Sequence, residues 1–167
     1  MGRDATKAVG NVWFEARKEA AKYDDRLQSR EGAAELLGMS RSAVADAELG
    51  ISKVMPVDKA VLMADLYRQP QLLNYYCLHE CPIGSRRSIS DELVSIERVT
   101  VKLLKNLNVD QLHLVKAKLI DIAADGVVSD EEKPELQEVV DYLKELSKTI
   151  SQIEMIAAMA LGGEIDE

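Results

Sequence analysis

The stretch Ser29-Arg30-Glu31-Gly32-Ala33-Ala34-Glu35-Leu36-Leu37-Gly38-Met39-Ser40-Arg41-Ser42-Ala43-Val44-Ala45-Asp46-Ala47-Glu48-Leu49-Gly50 holds two runs of helix-forming residues, 30–37 and 41–49, with three residues between them. Ser29 and Ser40 each precede a run, where a side-chain oxygen accepts one of the orphan amides of a helix N-terminus. Gly38 permits a tight exit from the first run. Two short helices this close together can cross steeply only if small residues occupy the crossing. Ala34 stands at that place, and Ala33, Leu37, Met39, Val44 and Ala47 are apolar where the pair faces a core. The outward face of the second run is Arg41, Ser42, Ala45 and Asp46, short or hydrogen-bonding side chains able to approach base edges in a major groove.

These residues resemble the Xre family, the phage-repressor or Cro-type helix-turn-helix, over about residues 10–70. The marks are Ser29-Arg30-Glu31 opening one helix, Ala34, Gly38-Met39-Ser40-Arg41-Ser42 at the turn, Glu48-Leu49-Gly50 closing the next helix, and Pro56 before another. The resemblance implies a transcriptional regulator that binds double-stranded DNA sequence-specifically as a dimer. It puts Ser40, Arg41, Ser42, Ala43 and Asp46 at base-reading positions and Arg30 on a phosphate. Asp46 there is an acceptor suited to a cytosine amino group. It also implies that Glu48 pairs with a cation of the first helix, for which the spacing offers Lys22 or Arg26. Gly32 departs from the pattern, at a cost of up to about 1 kcal/mol relative to Ala inside a helix.

Upstream, apolar and small residues recur at three and four from Val12 through Trp13, Ala16, Ala20, Tyr23 and Leu27, which predicts one helix over 11–28. Downstream, a loop through Pro56 leads to a helix over 58–67 with Val61, Leu62 and Leu66 inward, and Gln69-Pro70 breaks it. The turn-forming and charged stretch Pro82-Ile83-Gly84-Ser85-Arg86-Arg87 marks a boundary between a head, 1–84, and a second domain, 85–167. Three helical patterns follow, at 90–107, 110–124 and 129–161. In the last, Leu136, Val139, Leu143, Leu146, Ile150, Ile153, Ala157 and Ala160 alternate spacings of three and four, a heptad seam. A helix of about 33 residues runs near 50 Å at 1.5 Å per residue and outreaches its two neighbours. The expected architecture is therefore all-α: an N-terminal helix-turn-helix bundle followed by a C-terminal bundle of three helices with one long heptad-patterned helix, through which the chain forms a homodimer.

Composition agrees with helices: 47% of the 167 residues are apolar but only 4% aromatic, and prolines are few. The net charge of −8 opposes nucleic-acid binding until its distribution is considered. Residues 1–90 carry +1 and residues 91–167 carry −9, so the acidity belongs to the second half. An acidic face repels phosphates over a Debye length, about 8 Å at physiological salt, and a separate near-neutral head escapes it. No apolar run approaches the roughly 20 residues that span a bilayer, and Met1-Gly2-Arg3-Asp4 lacks a signal-peptide core, so no membrane partner and a cytoplasmic location are expected.

Other constellations are weaker. Cys77 and Cys81 are spaced for one helix face, but two thiols fall short of the four ligands of structural zinc, and His79 points away on a helix, leaving semi-buried thiols or a redox pair. The loop from Asp121 to Glu132 imitates a calcium-binding loop, yet Ala123 replaces an oxygen ligand, and a helix end followed by Ser129 as a cap explains it as well. No metal site, cofactor or catalytic set is expected, and the chain does not look like an enzyme. Lys53, Arg86 and Arg87 are further cations that could reach a DNA backbone. The alternative function is a protein-interaction adaptor whose acidic helical C-terminal half binds a partner.

Overall fold

The computed structural model describes residues 7–52 and 54–161, and every regular element among them is helical. The α-helices are α1 (Val12–Ala20), α2 (Arg30–Leu37), α3 (Arg41–Glu48), α4 (Val57–Tyr67), α5 (Gln71–His79), α6 (Ile96–Asn106), α7 (Val109–Ile122) and α8 (Lys133–Leu161), with 3-10 turns at Asp25–Gln28 and Gly84–Arg86. The chain divides into two compact units, Met1–Arg87 with Ala157–Glu167, and Ser88–Ile156.

In the first unit Asn11 caps α1 by accepting from the amides of Trp13 and Phe14 at 2.9 and 3.2 Å. The helix expected over 11–28 stops at Ala20. Asp24 is the reason: its carboxylate accepts the Arg26 amide at 3.0 Å and starts the 3-10 turn instead. Leu27 still reaches the core, but Tyr23, expected inward, is 76% exposed. The 3-10 turn passes directly over α2, where a Cβ on Gly32 would lie 2.1 Å from the Arg26 carbonyl oxygen. Gly32 is thus required by close approach, and its lost helix propensity accompanies the turn that precedes it.

The helix pair forms as its caps dictate. Ser29 accepts from Gly32 N at 3.0 Å, Gly38 adopts φ +57° and ψ +40°, and Ser40 accepts from Ala43 N at 3.1 Å. Ala33, Ala34, Leu37, Val44 and Ala47 are buried, with Met39 packed at the margin. In α4 the phase differs from expectation: Ala60, Met63, Ala64 and Tyr67 face the core, Val61 and Leu62 are exposed, and Leu66 is only partly buried. Small Ala60 and Ala64 let α4 approach its neighbours closely, while Met63 and Tyr67 fill the volume beyond them. The Tyr67 hydroxyl is buried without a hydrogen-bond partner among the described residues, and burial raises its pKa above the ordinary phenol range.

The second unit has a thinner core of Val99, Val115, Ile122, Val139 and Met155. The expected helix over 90–107 begins only at Ile96, because Ser95 caps it and Ser90 gives its amide to the Ser151 hydroxyl of α8 at 2.9 Å. Asn106 donates to Thr149 Oγ1 at 3.1 Å and accepts the Tyr142 hydroxyl at its carbonyl, joining α6 to α8. Lys118 of α7 pairs with Glu138 of α8. Ser129 and Glu132 exchange hydrogen bonds before α8, the amide of Ser129 donating to Glu132 Oε2 at 2.8 Å. The heptad seam is covered unevenly: Val139 is buried, whereas Leu143 and Ile150 are 45% and 43% exposed. Polar Thr149, Ser151 and Gln152 occupy buried positions on α8 instead.

Arg68 ends α4 at φ +53°, a left-handed conformation that costs a side-chain-bearing residue about 1–2 kcal/mol. Arg68→Gly should therefore raise stability by about 1 kcal/mol. Thermal unfolding measures it, and an unchanged or lowered midpoint would show that the Arg68 side chain offsets its backbone strain.

Candidate nucleic-acid interface

The interface is built on one buried carboxylate. Glu48, the last residue of α3, is fully buried, and Arg17 of α1 grips it through two nitrogens, Nε on Oε1 and Nη2 on Oε2 at 3.0 Å. Arg17 Nη1 also donates to the carbonyls of Leu27 and Gln28 at 2.8 and 3.2 Å, tying the 3-10 turn to the same point. Arg30, the first residue of α2, adds its Nε to Glu48 Oε2 at 2.7 Å. One carboxylate thus joins α1, α2 and α3, and a planar fork suits it because both oxygens are met at once.

Neither Lys22 nor Arg26 pairs with Glu48, contrary to the spacing argument. Both lie beyond the end of α1 and bond locally, Lys22 to Glu19 at 2.6 Å and Arg26 to Asp24 at 2.7 Å. The Arg26 side chain beside Asp24 holds that carboxyl below its ordinary pKa. The usable signal in the sequence was Arg17 itself, which falls four residues after Trp13 and three before Ala20, on the apolar arc of its helix. A charge on a buried arc requires a partner.

The residues expected to read DNA gather on one side of the head. Arg41 and Ser42 are exposed at the start of α3, Ala43 beside them is half-exposed, and Asp46 is half-exposed one turn along. Ser40 uses its hydroxyl to cap α3 and lies 3.0 Å from that of Ser42, so these two hydroxyls form one polar group. Arg30 is committed to Glu48 through Nε but remains 29% exposed. Beside it lies a cleft of about 380 Å³ lined by Phe14, Arg17, Lys18, Gln28, Ser29, Arg30, Glu31 and Arg41. Lys18, Arg30 and Arg41 outnumber the single acid Glu31 there, and the N-terminus of α2 opens into it. Such a place suits a phosphate. Arg86 and Arg87 are exposed in the same unit, and Lys53 lies outside the described residues.

Sequence reasoning missed a second polar anchor. Glu80, just past α5, accepts Trp13 Nε1 at 3.2 Å on one oxygen and the Met55 amide on the other. It fixes α1 and the segment that follows α3. Tyr75 meets Trp13 edge-on at 6.1 Å and His79 stacks on Tyr75 at 4.5 Å, so His79 belongs to an aromatic row. Among the described residues no three metal-ligating side chains gather, at Cys77 and Cys81 or in the 121–132 loop. No described helix is long and apolar enough to cross a membrane.

Glu48→Ala should destabilise the head by about 3–5 kcal/mol, because it leaves Arg17 charged and buried without its partner. Lys22→Ala and Arg26→Ala, at exposed local pairs, should leave the denaturation midpoint where it is. Equal effects of the three substitutions in urea titrations would remove Glu48 from its central place. Compared with family models, curated proteins and solved structures, the chain matches none.

Proposed function

We propose that the chain is a sequence-specific DNA-binding regulator that acts as a dimer. The observation that carries this reading is the exposed start of α3 set beside a cationic cleft at the N-terminus of α2, with both helices pinned by Glu48. A backbone phosphate in the cleft would be held by Lys18, Arg30 and Arg41. That contact carries no sequence information but sets the depth and tilt of α3 in the major groove. Arg41, Ser42, Ala43 and the Ser40 hydroxyl then meet base edges first, with Asp46 a turn further along. So few cations on one head give weak binding alone, which favours two heads on two half-sites about 34 Å apart.

The second unit supports the pairing. Val101 and Leu104 on α6 and Leu143 and Ile150 on α8 are large apolar side chains left exposed, more than a thin single-chain core requires. We assign them to contact with a second copy. The adaptor reading remains the competitor, since the same surface would serve a different protein, and DNA binding separates the two.

Selection of bound sequences from random duplexes should return a pseudo-palindrome, and Arg41→Ala with Ser42→Ala should erase the preference while helicity is unchanged. Each lost base contact removes about 1–3 kcal/mol of discrimination. A full chain that enriches no sequence, or a double variant with unaltered preference, would favour the adaptor.

Leu143→Lys with Ile150→Lys should convert a sedimenting dimer to a folded monomer, because both positions already face solvent within one chain. A monomeric parent chain would refute the assignment of α8.

A further inference from the structure

We propose that Cys77 and Cys81 are a modification site, a dithiol that a hydroperoxide closes to an intramolecular disulfide, releasing the Glu80 carboxylate from Trp13 and Met55. Cys77 lies in the last turn of α5 and Cys81 two residues beyond its end. The chain stays near-helical through Glu80, and the amides of Glu80 and Cys81 both donate to the Tyr76 carbonyl at 2.9 Å. Cys77 and Cys81 thus stand one turn apart along the chain at the end of α5.

The following turn folds back onto the last turn of α5. A Cβ on Gly84 would lie 2.4 Å from the Cys77 carbonyl oxygen and 2.7 Å from its Cα, and the Gly84 amide donates to Cys81 Sγ at 3.3 Å. One glycine backbone thus touches both cysteines. Both are free thiols and half-exposed, open to a small oxidant. Partial burial, and after it Cys81, Glu80 and Cys77, raise the pKa of the Tyr76 phenol. His79 is turned into its stack with Tyr75, so two sulfurs stand without a third ligand and suit oxidation better than a four-ligand structural metal.

The steps follow from the contacts. Cys81 sulfur, whose negative charge during attack the Gly84 amide stabilises, bonds to one peroxide oxygen as the O–O bond breaks. The other oxygen leaves as alcohol or water with the thiol proton, and Cys81 is a sulfenic acid. Cys77 sulfur then attacks Cys81 sulfur, the S–O bond breaks, and the hydroxide leaves as water with the Cys77 proton. The thiols lose two electrons and the peroxide gains them.

Geometry couples this to the head. A disulfide needs its Cβ atoms about 3.5–4.5 Å apart, and here it would span the end of α5, with Glu80 among the residues it encloses. Closing the bond constrains the turn that contains Glu80. That carboxylate, which holds Trp13 Nε1 and the Met55 amide, is then drawn off its partners.

The test uses the reduced full chain and hydrogen peroxide. The intact mass should fall by two hydrogens, and the emission of Trp13, the single tryptophan, should shift to the red and return on thiol reduction. Cys77→Ser should stop at a sulfenic acid on Cys81 that a dimedone reagent labels, with no emission shift, whereas Cys81→Ser should label several-fold less. Glu80→Gln should show the red shift without oxidant. An unchanged mass, a disulfide only between two chains, or a closed disulfide with unmoved Trp13 emission would overturn the proposal. Mass and emission involve no nucleic acid, so failure here is distinct from failure of the DNA-binding reading.

Discussion

The Arg17–Glu48 contact is the constraint on which the head depends. Burying a carboxylate at the end of a helix is costly, and only a geometry that meets both oxygens and every guanidinium nitrogen offsets the desolvation. Arg17 meets it because its remaining nitrogen finds the carbonyls of Leu27 and Gln28. The same side chain thereby sets where the 3-10 turn sits, and that turn in turn forbids a side chain at Gly32. Such a network adds little net stability over an apolar core of the same shape. What it supplies is one relative placement of α1, α2 and α3, which the proposed contact with regularly spaced DNA phosphates would require.

Charge is partitioned to match. The head is near neutral overall but places Lys18, Arg30 and Arg41 around one cleft, while most acids lie in residues 91–167. With a Debye length of about 8 Å at physiological salt, the cations lining the cleft would dominate the proposed phosphate contact there. A dimer would add the two cationic clefts into one footprint, and its affinity would fall steeply with salt as counterions return. The acidic surface would also keep unbound copies from coating nucleic acid non-specifically.

Much of this was readable from residues alone, and the failures share a cause. Ser29, Ser40 and Gly38 act locally, so their caps and the turn between α2 and α3 follow from sequence position. The all-helical composition carried through for the same reason. Where competition between local and distant contacts decides, periodicity misled. Tyr23 fits the apolar spacing of α1, but Asp24 captures the Arg26 amide and starts a 3-10 turn instead. Val61 and Leu62 are more apolar than Ala60 and Ala64, yet helix approach favours the small pair. Ser90 begins a helical pattern but gives its amide to Ser151, sixty-one residues away. Glu48 announced a partner without naming it, because the partner depends on where α1 stops. The anchor at Glu80 left no trace, since nothing local links it to Trp13 or Met55.

Glu80 also determines how the chain can be cut. The likeness to a helix-turn-helix ends near residue 70, and a fragment drawn to that limit would hold every residue proposed to touch DNA. It would nonetheless lose Leu72, which is buried, the Tyr75 ring against Trp13, and both acceptors that Glu80 provides. A buried indole N–H and a backbone amide would be left without partners, at about 1–3 kcal/mol each. The smallest piece able to stand alone therefore runs through α5 to the Gly84 turn, so α5 belongs to the foundation of the first unit and not to the linker that follows it.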